Sequence, residues 1–160
     1  MLASQEQVVV MSLAGERYAA PITMVREILA LQEITPIPGA PAFVVGVTNL
    51  RGKVIPVMDL RERLGLAAPT EDDLPARKIV VAEMADELVG MLVDRVLEVR
   101  VIPAADVEPP SDLIRGDRAE FLRGVAKTSD GLIVMLSLDR VLNLDERRQV
   151  TELELTDGMV

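Results

Sequence analysis

Residues 46–66 read GVTNLRGKVIPVMDLRERLGL, and residues 124–144 read GVAKTSDGLIVMLSLDRVLNL. Laid over one another without a gap, at an offset of 78 (124 − 46), they place Gly46 on Gly124, Val47 on Val125 and Ile55 on Ile133. Leu60, Leu64 and Leu66 fall on Leu138, Leu142 and Leu144, and the apolar Val54, Val57 and Met58 fall on Leu132, Met135 and Leu136. An upstream pair agrees. Residues 16–28, ERYAAPITMVREI, sit over residues 87–99, ELVGMLVDRVLEV, at an offset of 71 (87 − 16), with Val25 on Val96, Glu27 on Glu98 and Ile28 on Val99. Self-similarity at a fixed spacing marks a duplicated structural unit. The larger downstream offset is expected from an extra loop around 109–123 in the second copy. The copies part company at the turn, where Asn49-Leu50-Arg51-Gly52 stands against Lys127-Thr128-Ser129-Asp130.

Around these segments the chain reads as short strands punctuated by turns. Residues 7–13 and 17–21 form β-branched runs around Ala14-Gly15, as two strands and a turn require. A helical turn is expected within 24–30. Residues 33–38 alternate, but their two prolines confine them to an edge. Strands are expected at 44–50 and 53–57 around Arg51-Gly52, and at 78–82, 88–93 and 95–102. Two more, at 125–127 and 132–136, flank Asp130-Gly131, a dipeptide that favours a tight hairpin. Asp59 and Glu62 form a capping box for a short helix that Gly65 ends. Ser137 caps a second stub ending near 143. Loop is expected over 103–123, with a short helix near Ile114. The pattern is all-β: two pseudo-repeated barrels of five strands each, the first about 7–66 and the second about 77–144. They are joined by the Pro-rich, acidic stretch 67–76 and followed by an acidic tail, 145–160. Neither copy alone buries much, so the two are expected to share an aliphatic interface within one domain spanning 1–160.

Composition narrows the function. The chain has 160 residues, 49% hydrophobic but only 2% aromatic, with a net charge of −9. The core must therefore be aliphatic. Nucleic-acid binding is disfavoured, because it needs clustered cations for phosphates and rings for base stacking, and an acidic surface is repelled by anionic lipid. There is no cysteine and no histidine. That removes thiolate chemistry and the commonest general base and transition-metal ligand. No cofactor is expected. The opening MLASQEQ lacks a cationic flank and a long apolar run, so no signal peptide is expected. Apolar runs fall short of the roughly 20 residues a membrane helix needs. A cytoplasmic protein is the expectation.

The run Gly46-Val47-Thr48-Asn49-Leu50-Arg51-Gly52, continued by Val54-Ile55-Pro56-Val57-Met58-Asp59-Leu60-Arg61, closely resembles the hallmark of the CheW family, the coupling proteins of bacterial and archaeal chemotaxis. Pro41-Ala42-Phe43 and Val25-Arg26-Glu27-Ile28 fit the family's first half. Gly90-Met91-Leu92-Val93-Asp94 and the Gly131 hairpin fit its second. The resemblance implies two five-stranded SH3-like barrels around a shared hydrophobic core and a scaffold without catalysis. It implies binding to the cytoplasmic hairpin tip of chemoreceptors and to the regulatory domain of the histidine kinase CheA, within membrane-associated arrays. It leaves room for weak homotypic contacts in those arrays.

Arg51 heads the candidate residues, because it sits in the motif at a hairpin and is absent from the second copy. By residue type alone it is a solvated turn residue; the resemblance implies a pair with Glu27 beside a receptor-binding groove. A guanidinium held by a carboxylate presents a fixed array of donors. Glu27 has a repeat partner in Glu98 and so has a structural reading as well. Val25 and Val99 are the apolar candidates for burying a receptor helix tip, although a barrel valine is more often core. Gly46 reads first as a backbone requirement, and a side chain there could also block the groove. For the kinase, the resemblance points to the loop after 95–102, which holds Glu108 and Leu113 where relatives can carry a basic residue and an aromatic. A CheW-like adaptor for a non-chemotaxis receptor–kinase pathway, serving pili or development, is the second reading. An enzyme using Asp59, Asp94 or Glu98, as an acid pair or a hard-cation site, is the least supported.

Overall fold

The computed structural model describes residues 4–72, 74–110 and 119–142. Among these are eleven strands and two short helices: β1 Gln5–Leu13, β2 Glu16–Pro21, β3 Val25–Ala30, β4 Val44–Leu50, β5 Lys53–Asp59, α1 Leu60–Arg63, β6 Lys78–Met84, β7 Glu87–Val93, β8 Arg95–Pro103, β9 Val107–Glu108, β10 Leu122–Thr128, β11 Gly131–Leu136 and α2 Leu138–Val141. The fold is all-β with short helices. The helical turn expected within 24–30 falls earlier, as a 3-10 turn over Ile22–Met24, and Val25–Ala30 is strand because its backbone pairs with β6. The short helix expected near Ile114, the end of the second stub and the tail lie outside the described residues.

Two sheets form, in the orders β8-β1-β2-β11-β10-β9 and β3-β6-β7-β5-β4. They do not follow the division into a first barrel at 7–66 and a second at 77–144. The first copy sends β1 and β2 into the sheet of β8–β11, and the second copy sends β6 and β7 into the sheet of β3–β5. Each exchange is sealed by a parallel pair, β2 with β11 and β5 with β7. The physical reason is that a duplicated unit satisfies the same strand contacts within a copy or across copies, as in domain swapping. The stretch 67–76 accordingly does not separate two barrels. It leads from α1, which packs on β7, into β6 of the same sheet.

The exchange explains why β1, β6 and β7 read as continuous apolar runs. Alternate residues of a strand face opposite ways, and here both faces are covered. Val8 and Val10 enter a core with Ala19, Ile102, Ala126, Ile133 and Met135, inside the sheet of β8–β11. Ile79, Val81 and Leu92 enter another with Leu50, Ile55 and Val57. The opposite faces, Met11, Leu13, Val80, Ala82, Met91 and Val93, meet Phe121, Leu136, Leu138, Val141 and Leu142 in a third core between the sheets.

Candidate partner-binding site

The sheet of β3–β7 is drawn round on itself. Beyond β3, Thr35 exchanges backbone hydrogen bonds with Val47 of β4, 2.8 and 2.9 Å long. The Gln32 amide donates to Thr48 Oγ1 at 2.8 Å, and Thr48 Oγ1 donates to the Glu33 carbonyl at 2.7 Å. Gly46 is what lets this seam form. A Cβ there would lie 2.1 Å from the Thr35 carbonyl oxygen and 2.9 Å from Pro36 Cα, far inside contact distance. The second copy repeats the device: β9 pairs with β10, and a Cβ at Gly124 would lie 2.6 Å from the Glu108 carbonyl oxygen.

The β4–β5 hairpin turns through Arg51 and Gly52, both at positive φ (50° and 85°), the pattern of a type I′ turn. The Asn49 side chain accepts from Gly52 N at 2.8 Å and fastens it. From this turn Arg51 reaches across the seam to Glu27 on β3, with Nη1 to Oε2 at 2.6 Å and Nη2 to Oε1 at 2.9 Å. The fork is bidentate, and the Arg51 side chain stays 71% exposed while that of Glu27 is 26% exposed. The donors are thus fixed in direction yet open to solvent.

Sequence placed no counterpart to Arg51 in the second copy, and the structure supplies one of opposite polarity. Asp130, in the β10–β11 turn, accepts from Arg100 of β8 through two 3.0 Å bonds and from Arg17 at 3.2 Å. Its carboxyl is held far below the usual carboxylate range, first by the Arg100 hydrogen bonds and then by Thr128. The Arg100 guanidinium is correspondingly pushed up by Asp130. In one half the turn is cationic and the strand anionic; in the other the signs are exchanged.

Among the apolar candidates, Val25 begins β3 and packs, half-buried, against the core between the sheets, as does Val96 of β8. Strands β3 and β8, each terminal in its sheet, therefore flank the junction. Val99 lies on β8 with its side chain outward, among the exposed Leu97 and Val101, and Ile28 is its exposed equivalent on β3. Leu97, Val101 and Ile28 were not singled out from sequence; the match of Ile28 to Val99 was the available signal. Glu108 is on β9, its carboxylate 2.6 Å from Lys127 Nζ with both side chains exposed. Leu113 lies outside the described residues.

The carboxylates weighed for catalysis have structural partners. Asp59 accepts from Arg61 N at 3.0 Å as the cap of α1. Asp94, 3% exposed, is bound by Arg61 and by Ala14 N, and Glu98 lies 3.5 Å from Arg100. Among the described residues no three metal-ligating side chains gather.

A family model described as a CheW-like domain matches residues 7–146. The chain is 31% identical over 151 residues to the chemotaxis protein CheW of Treponema pallidum, covering 93% of this chain and 89% of that protein. It is 33% identical over 141 residues to the CheW of Rhizobium meliloti, covering 88% and 90%. It is 34% identical over 137 residues to protein FrzA of Myxococcus xanthus, covering 84% and 83%. The solved structure of the scaffolding protein TtCheW from Thermoanaerobacter tengcongensis superposes with a TM-score of 0.79 at 35% identity, covering 88% of this chain and 94% of that one.

Proposed function

The chain belongs to the CheW family of chemotaxis adaptors, and on that premise we propose that it is a non-catalytic coupler joining the cytoplasmic hairpin tip of chemoreceptors to the regulatory domain of the histidine kinase CheA. The observation that carries the receptor half is the Arg51–Glu27 fork, bidentate and exposed on the edge strand β3, together with the exposed apolar side chains of β3 (Ile28) and of β8, the edge strand of the other sheet (Leu97, Val99, Val101). A helical tip buries apolar side chains on such a surface and meets a fixed donor array at its rim. Arg51, Glu27, Val25 and Val99 contact the tip in this reading. Gly46 acts beneath them by letting the seam close. Glu108, with Leu113, serves the kinase side. The protein works in the cytoplasm and is recruited to receptor arrays at the membrane; among its described residues no helix is long and apolar enough to cross a bilayer.

Pulldowns with a receptor-tip fragment and the kinase regulatory domain, separately and together, test the reading. Simultaneous capture of both is expected, and mutually exclusive capture refutes a coupler. Arg51→Glu sets two carboxylates against each other and should weaken tip binding by about 2–4 kcal/mol. Stability should change by only about 0–1 kcal/mol, because the pair is exposed. Undiminished tip binding by this variant would remove Arg51 from the site. A second reading is an adaptor of the same build in a non-chemotaxis receptor–kinase pathway, serving pili or development; one relative, protein FrzA, does not carry the chemotaxis name of the others. The identity of the kinase that copurifies separates the two.

A further inference from the structure

At the centre of the junction lies a buried cation. Arg63, the last residue of α1, is 7% exposed. Its guanidinium carbon sits 4.6 Å from the centroid of the Phe43 ring and 4.3 Å from that of Phe121. These are the only phenylalanines in the chain. They are repeat equivalents at the same offset of 78 (121 − 43), and the Phe43 and Phe121 carbonyls accept from Asp59 N and Ser137 N, equivalent donors at 2.7 and 2.8 Å. Arg63 Nε also donates to the Val141 carbonyl at 3.0 Å, and Nη2 to that of Arg140 at 3.4 Å. Val141 is the repeat equivalent of Arg63 itself (63 + 78).

One side chain from the unit of β3–β7 is thus clamped between a ring of its own unit and a ring of the other, and it caps the helix α2 that follows β11. Apolar packing resists separation of the two units but has no direction, so aliphatic side chains alone permit small rotations. A planar cation stacked between two rings and forked onto carbonyls fixes rotation as well as distance. We propose that Arg63 is a positioning residue that locks the two sheets at one angle and thereby sets the spacing of β3 and β8 for a partner gripping both. This rests on the coupling function above. A partner seated on one sheet alone is indifferent to the lock.

The chain has no cysteine, so Val54→Cys and Leu132→Cys, exposed repeat equivalents on the two sheets, accept a pair of spin labels without further changes. In the full-length protein the interlabel distance distribution is measured with and without Arg63→Met, alongside binding of the receptor-tip fragment and the kinase regulatory domain. The expected result is a broadened or shifted distribution, tip affinity reduced about tenfold, and kinase-domain affinity within about twofold of the parent. An unchanged distribution, or unchanged tip affinity in a parent that binds the tip, overturns the proposal. Loss of the kinase domain in equal measure also overturns it, since that is the mark of general destabilisation. A changed distribution in a parent that binds no tip retains the lock and refutes the receptor reading instead. If Arg63→Met does not fold, Arg63→Lys is judged by the same criteria, because it keeps the charge between the rings but loses the fork onto α2.

Discussion

Replacing Arg61 by Met should destabilise the protein more than any exposed charge reversal. Arg61 is 4% exposed and Asp94 is 3% exposed. Arg61 Nε donates to Asp94 Oδ1 at 2.8 Å and Nη2 to Oδ2 at 2.5 Å, while Nη1 donates to the Ala67 carbonyl at 2.8 Å. The same carboxylate accepts from Ala14 N at 2.9 Å, in the β1–β2 turn of the other sheet. Among the described residues, removing the guanidinium leaves the buried carboxylate with Ala14 N as its one remaining donor. Breaking a buried pair from one side costs about 3–5 kcal/mol. For a chain of this size that corresponds to a fall in Tm of about 6–20 °C. Asp94→Asn alone should cost a similar amount, because it strands the cation. The double variant removes both charges and keeps an acceptor for Ala14, so it should be less destabilised than either single variant. Urea unfolding of all four proteins measures the cycle. A cost below about 1 kcal/mol for Arg61→Met, or a double variant at the sum of the singles, would refute the reasoning.

Gly46→Ala should cost about 2–4 kcal/mol, because the new Cβ meets backbone that moves only by opening the Thr35–Val47 bridge. Gly52→Ala, whose Cβ meets nothing within 4 Å, should cost about 1–2 kcal/mol for its positive φ alone. Chemical denaturation giving the reverse order would contradict the seam. For Asp130 the sign is that of a depressed carboxyl: its contribution is fully present above the unfolded value of 3.8 and is lost as pH falls through the lower folded value. Its carboxyl resonance should show no midpoint from neutrality down to about pH 3; a midpoint near the ordinary value of 3.8 would mean that the Arg100 clasp does not hold in solution.

The strands were legible because β-branched runs and turn dipeptides act locally. Asp130-Gly131 and Arg51-Gly52 marked both hairpins, and Asp59 marked the start of α1. Strand partnership was not legible. The repeat identifies β1 with β6 and β2 with β7, but an intracopy and an exchanged pairing satisfy identical side chains, so nothing in the residues of β2 says whether it joins β5 or β11. The Arg51–Glu27 pair was reached through resemblance; spacing alone left Arg51 a turn residue. The Arg100–Asp130 clasp was missed because its charges are exchanged and Arg100 stands two positions beyond the equivalent of Glu27, so residue identity hides a shared geometry. Phe43 and Phe121 share the offset of the main repeat and could have been paired from sequence, which would have located the centre of the junction.

A doubled fold presents every surface twice, and a coupler has to make its two halves unlike. The breaks in equivalence fall at three places. At the hairpin tips Arg51 stands where Ser129 does, with Asp130 as the charged group of the second turn. On the edge strands the clasp is completed by Glu27 in one half and by Arg100 in the other. At the junction Arg63 stands against Val141. The first two exchange the positions of anion and cation, with Arg17 as a second cation on Asp130, so an anionic group placed to meet Arg51 would meet Asp130 at the pseudo-symmetric seat. Discrimination by repulsion needs no additional contact with the correct partner. The third break is buried and presents nothing to a partner. Its one-sided fork onto α2 ties the unit that carries the cationic turn to the unit that carries the anionic one, so the two unlike surfaces are held in a single fixed relation.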